Sequence, residues 1–132
     1  MSFSAAQLAI ETRFNTNFTS VDIKFDGVDY EATPGVTFAE LKIINVDSRR
    51  ADIGTTNPLH RTDGLIIVNI YTKQNIGTKT GTDLADAAAA IFRDASFSGI
   101  TCRSPVVRNV GEVEKWYVVN MTCPFYRDEV HT

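Results

Sequence analysis

The feature that most constrains this chain is the stretch from His60 to Phe92, HRTDGLIIVNIYTKQNIGTKTGTDLADAAAAIF, where an apolar strand runs through a polar connection into an amphipathic helix. Residues 65–71, LIIVNIY, are β-branched and aromatic and apolar on both alternating sets. That pattern predicts an interior strand covered on both faces. Polarity resumes at Thr72, Lys73, Gln74 and Asn75, so the strand ends there. Beyond it Leu84, Ala87, Ala88, Ile91, Phe92 and Ala95 recur at helical spacing on one side, with Asp83, Asp86, Arg93 and Asp94 on the other. Thr80 and Asp83 approximate a capping box, and the run Ala87 to Ala90 lets the helix lie close to the sheet it covers.

At 132 residues, with 43% hydrophobic and 22% charged residues, the chain is read as one soluble domain covering 1–132. No run approaches the roughly 18 apolar residues of a membrane span, and no secretory signal opens the chain. The glycosylation matches at Asn17 and Asn120 therefore carry no meaning. Cys102 and Cys123 each fall inside a predicted strand, without CxxC spacing or a nearby histidine. They read as buried thiols of a cytosolic protein, with a disulfide open if their strands pair. A net charge of −3 and a pI near 5.3 argue against a protein whose main task is gripping nucleic acid.

In chain order, Ser4 with Gln7 forms a capping box, and Phe3 is placed to staple onto Leu8. The helix runs to about residue 15 or 17, with Ala6, Ile10, Phe14 and Phe18 as its core stripe. Leu8 points away from that stripe, serving the staple or touching a neighbouring subunit. Residues 21–25 alternate as a half-buried strand, followed by turns at Asp26-Gly27 and Pro34-Gly35. Residues 37–46 are a second strand, with Ala39, Leu41 and Ile43 on one face and Glu40 and Lys42 partly exposed on the other.

From Asp47 to Asp63 the period vanishes, which predicts a long loop. It holds the densest basic cluster, Arg49, Arg50, His60 and Arg61, with apolar tips at Ile53 and Leu59. Loops on rigid sheets commonly carry binding, so this segment is read as a contact surface for another protein. After the second helix, residues 100–107 form a strand with Pro105 at its end or edge, Asn109-Val110-Gly111 turns, and residues 115–125 form a long strand. The tail from Arg127 is polar and expected to be loose. The whole order predicts an α+β fold: a mostly antiparallel sheet with two main helices packed on one face.

Chemical motifs are sparse. Gly77-Thr78-Lys79-Thr80-Gly81-Thr82 supplies glycines, hydroxyls and a lysine ahead of a helix, the ingredients of an anion or nucleotide cradle. Its spacing is not that of a P-loop, and a capped turn explains the same residues. His60 and His131 are the only histidines and lie in no nucleophile motif, so catalytic and metal roles are assigned to none. Trp116, Tyr117 and Tyr126 lack interleaved basic residues for a nucleic-acid stacking platform.

Four segments carry a family resemblance: AAQLAIETRF near the N-terminus, RTDGLIIVNIY from Arg61 to Tyr71, TDLADAAAAIF from Thr82 to Phe92, and WYVVNMTCPFYRDE from Trp116 to Glu129. With them the chain resembles the small tail-terminator proteins of long-tailed bacteriophages. The resemblance implies an α+β subunit without catalysis or cofactor, assembling into a hexameric ring on the last ring of tail-tube protein. Such a ring stops tube growth and offers a surface to the head-completion or connector protein, in the virion tail at the head–tail junction. It would be assembled in the host cytoplasm. DNA passes through without specific binding, which a net acidic subunit suits. A ring subunit needs two unlike surfaces that meet head to tail. Leu8, Arg49, Arg50, Ile53, Leu59, His60 and Arg61 are the candidates, with Glu112, Glu114, Asp128 and Glu129 as acids to pair with. A different neck connector, or an anion-binding module at Gly77 to Thr82, are the alternatives.

Overall fold

The computed structural model describes residues 3–25, 27, 36–50, 59–73 and 79–130. Helix α1 (Phe3–Asn17) is followed by β1 (Asp22–Phe25), β2 (Phe38–Arg50) and β3 (Leu59–Lys73). Helix α2 (Lys79–Phe92) then leads to β4 (Ser96–Phe97), β5 (Ile100–Cys102), β6 (Val106–Val113) and β7 (Trp116–Val130). The strands form one sheet in the order β1-β2-β3-β7-β5-β4, with β6 also pairing β7. β1 runs parallel to β2 and every other described pair is antiparallel.

The expected class, α+β with two helices laid on one face of a mostly antiparallel sheet, is corrected. Among the described residues strand outweighs helix about two to one, and the sheet curls into a half-barrel. The reason lies in β3 and β7, each 15 residues long, where the right-handed twist of each strand pair accumulates. Bulges between Asn45 and Asp47 and between Asn109 and Gly111 add further twist. The two helices consequently sit differently. Alanine-rich α2 lies against β3 and β7. Helix α1 contacts α2, where Phe14 stacks on Phe92 at 6.0 Å. It is flanked on one side by Phe25 of β1 and on the other by Phe97 of β4, so it spans the mouth between the terminal strands.

One cluster of buried side chains unites Ala6, Ile10, Phe14 and Phe18 with the α2 face and with Leu41, Ile66, Val68, Ile70, Met121 and Phe125. The α1 stripe is as its four-residue spacing requires. Phe3, however, lies inside the helix rather than before it, and its ring sits 4.4 Å from the guanidinium carbon of buried Arg127. On α2 the buried set is Gly81, Ala85, Ala88, Ala89 and Phe92, while Ala87 is exposed. A Cβ on Gly81 would come within 2.8 Å of Val119 Cγ2, so this glycine lets the helix start meet β7. Thr80 is helical and Lys79 pairs with Asp83, so the expected Thr80 cap does not form; residues 74–78 lie outside the described set.

Three further expectations change. The pattern-free segment from Asp47 to Asp63 is largely strand: β2 continues to Arg50 and β3 begins at Leu59, leaving 51–58 outside the described residues. The strand expected over 100–107 is two, β5 and β6, separated by residues 103–105. The turn placed at Asn109-Val110-Gly111 is a bulge, and the chain reverses at Glu114-Lys115 with Glu114 at φ 54°. The loose tail is the end of β7, and Arg127 within it is 1% exposed.

Candidate functional site

Alternate residues of β3 separate the two faces of the sheet. Thr62, Gly64, Ile66, Val68, Ile70 and Thr72 are buried toward the helices; Arg61, Asp63, Leu65, Ile67, Asn69 and Tyr71 are half-buried on the other side. The reading of β3 as covered on both faces is therefore corrected, because no described helix reaches the second face. Among the described residues its apolar members, Leu65 and Ile67, are shielded by cross-strand neighbours, Ile44 and Lys42 on β2 and Pro124 and Thr122 on β7.

At one end of this open face Phe38, Tyr71 and Trp116 form an aromatic cluster. Phe38 and Tyr71 stack at 4.6 Å, and Trp116 meets Phe38 edge-on at 5.2 Å. Beside it a polar ladder crosses four strands. Lys24 Nζ donates to Glu40 at 3.0 Å, Asn69 and Tyr71 each donate to Glu40 at 3.3 Å, and Asn120 donates to Asn69 at 2.8 Å. Burial alone would push the Glu40 carboxyl up, but Lys24, Asn69 and Lys42 together hold it below its ordinary value. Tyr71 is pushed up to about 12 by burial and by the Glu40 charge. Glu40, expected to be partly exposed, is buried at the centre of this ladder.

At the other end β2, β3 and the close of β7 form a charged arm, met on its inner side by Phe3 at the start of α1. Its register sets Arg49 directly opposite Arg61 and Asp47 opposite Asp63, like charges that would repel. One diagonal pair and one direct pair with β7 resolve this. Arg49 bonds Asp63 and reaches Asp47 at 3.4 Å, while Arg61 makes a two-pronged bond to Asp128 at 2.8 and 3.0 Å. Arg61 and Arg103 also approach the Tyr126 ring at 4.5 and 5.0 Å. The bond from Arg61 holds the Asp128 carboxyl below its usual range.

The structure thus brings Arg49, Arg50, Leu59, His60 and Arg61 together on one arm, as paired strand rather than loop. Arg49 and Arg61, read as charges for a neighbour, already serve partners within the chain. Ile53 lies outside the described residues. Leu8 is 64% exposed on a separate surface, a groove shared with Ala5, Ala9, Arg13 and Phe97. Glu40, Asn69, Asn120, Tyr71 and Trp116 were missed as a group. Their only sequence signal is polar and aromatic residues at alternate positions within otherwise apolar strands.

Cys102 and Cys123 are free and buried, and their mutual hydrogen bond with burial pushes the Cys102 thiol up. Among the described residues no His, Cys, Asp and Glu gather as a metal site, and no helix is long and apolar enough to cross a membrane.

A curled sheet plugged by two helices, with one face and a charged arm presented outward, defines an architecture rather than a chemistry. No family model and no curated protein matches the chain. It is similar to a solved structure whose name carries no functional description, with a TM-score of 0.66 over 100% of this chain and 99% of that one. At 13% identity that likeness establishes a shared fold.

Proposed function

We propose that this chain is a structural virion protein, a phage tail terminator. Its copies close into a hexameric ring that caps the tail tube, stops its polymerisation and offers a surface for head attachment, while DNA passes through without specific binding. The observation that supports this reading best is the arm. Three strands carry alternating, internally matched charges, a surface for a protein partner at the place where the basic segment of the sequence reads as a contact surface. The aromatic and apolar open face supplies a second, unlike surface, as a ring requires.

The anion-cradle alternative draws less support. Gly81 is explained by its approach to Val119, and Lys79 is engaged with Asp83. A different neck connector fits the same surfaces.

Electron microscopy of particles assembled without this protein separates the readings. Overlong tails are expected for a missing terminator; normal-length tails detached from heads would assign the chain to a connector instead. Calorimetry with nucleotides and inorganic phosphate is expected to give no heat, and saturable binding would restore the cradle.

A further inference from the structure

Cys102 and Cys123 are separated in the chain but share one buried corner of the core. The register of β5 on β7 sets Cys102 opposite Phe125, and Cys123 lies two residues before Phe125 on the same face of β7. Such diagonal neighbours stand about 7–8 Å apart at Cα, with their Cβ atoms closer. A disulfide usually spans about 4.4–6.8 Å between Cα atoms, so the pair sits just beyond bonding range. The side chains narrow the gap, because the two thiols hydrogen-bond each other, and Cys123 Sγ also donates to the Arg103 carbonyl oxygen at 3.5 Å. β5 is three residues long and ends at Cys102, with residues 103–105 outside any strand. Two backbone bonds hold this corner, Cys102 N–H to the Ala95 carbonyl and Arg103 N–H to the Pro124 carbonyl, each 2.8 Å. A strand end held so lightly can draw in by the small distance that a bond between the sulfurs requires.

We propose that Cys102 and Cys123 are a reversible redox pair, thiols under reducing conditions that close into a disulfide when the chain meets a small oxidant such as hydrogen peroxide. This goes beyond the ring reading and does not depend on it. The contact with Cys102 holds the Cys123 thiol below its ordinary value, while Cys102 is pushed up, so Cys123 supplies the thiolate. That thiolate attacks one peroxide oxygen, the O–O bond breaks, and the departing hydroxide takes up the thiol's proton as water, leaving a sulfenic acid. The Cys102 sulfur then attacks the Cys123 sulfur; the S–S bond forms, the S–O bond breaks, and a second water leaves with the Cys102 proton. Two thiols have lost two electrons and two protons, and one peroxide has become two waters. Burial restricts the reaction to a small neutral oxidant, and the adjacent Cys102 intercepts the sulfenic acid before it oxidises further. The bond ties the β4–β5 hairpin to β7, and α1 leans on that hairpin where the Arg13 guanidinium lies 4.7 Å from the Phe97 ring. Strain from drawing the strands together keeps the disulfide reducible.

The test treats the purified, folded chain with hydrogen peroxide and reads it by mass spectrometry under non-reducing conditions. The expected product is a chain lighter by two hydrogen atoms, whose proteolytic digest joins the peptides of Cys102 and Cys123; dithiothreitol restores the starting mass. Closing the loop between them is expected to raise Tm by roughly 5–10 °C and to slow hydrogen exchange at the Cys102 and Arg103 amides. Cys102→Ser and Cys123→Ser chains, each compared before and after peroxide, are expected to show neither the gain in Tm nor the lost hydrogens. Three results overturn the pairing. Both thiols still react with a thiol reagent once the treated protein is denatured; oxygen is added at either cysteine in place of a link; or the link forms only when peroxide is added in denaturant.

Discussion

The two faces of β3 are built from one continuous strand, yet they are held by different forces. Toward the helices Ile66, Val68 and Ile70 are fully buried against α2 and the α1 stripe, and stability there follows apolar area removed from water. Away from the helices, among the described residues, Leu65, Ile67, Asn69 and Tyr71 lie beside side chains of β2 and β7, and hydrogen bonds to Glu40 take over part of the role of packing. The comparison teaches that a strand apolar on both sides need not have cover on both sides. Cross-strand neighbours half-bury such residues, and the surplus apolarity is available to a partner.

Substitutions across the strand should expose this asymmetry. Val68→Asp places a charge in the covered core with no partner and is expected to cost about 4 kcal/mol or more, seen as an unfolded circular dichroism spectrum. A folded Val68→Asp protein would show that the helix-covered face is not the main core. Gly64→Ala comes next. Its Cβ would stand 2.5 Å from Phe125 Cζ and 2.7 Å from the Ile44 carbonyl oxygen. Such overpacking is expected to cost about 1–3 kcal/mol in urea melts.

On the open face Glu40→Gln is expected to cost about 1–2 kcal/mol at neutral pH, since a charge-assisted ladder is weakened but not removed. The sign of its pH dependence follows from the lowered Glu40 value. The contribution is fully present above the ordinary 4.5 and is lost as pH falls through the lower folded value. The difference between wild type and Glu40→Gln should therefore shrink below pH 4.5; a constant difference would mean that the ladder does not depend on the carboxylate charge.

Ile67→Thr, a β-branched exchange on the uncovered face, is expected to stay within about 0.5–1 kcal/mol. A loss as large as that of Val68→Asp would erase the distinction between the faces. The smallest effect is alkaline. Tyr71→Phe is expected to remove one phenol that ionises near 12, monitored by ultraviolet absorbance. Because that value is raised, its stabilisation is complete below the ordinary 10.0 and is lost as pH climbs toward about 12.

Local pattern determined a good deal of this. The four-residue spacing of Ala6, Ile10, Phe14 and Phe18 was legible as a buried stripe, as were the alternation of Ala39 and Leu41 and the strand at residues 65–71. The arm was not legible as strand, because its residues carry charge on both faces and charge is the ordinary mark of a loop. Only the register, which sets Arg49 diagonal to Asp63 and Arg61 opposite Asp128, shows why charged strands are stable there. The burial of Arg127 under Phe3 joins opposite ends of the chain and has no local signature.

By itself, then, the sequence determined which segments are helical, the apolar middle of the long strands, and which side of α1 and β2 faces the core, since these depend on residues within a turn or a pleat of one another. Tertiary structure alone decided the curl of the sheet, the position of α1 across its mouth, the parallel pairing of β1 and the face left uncovered. Those outcomes depend on twist accumulated along β3 and β7 and on contacts between residues far apart in the chain, and neither quantity is written in any short window of residues.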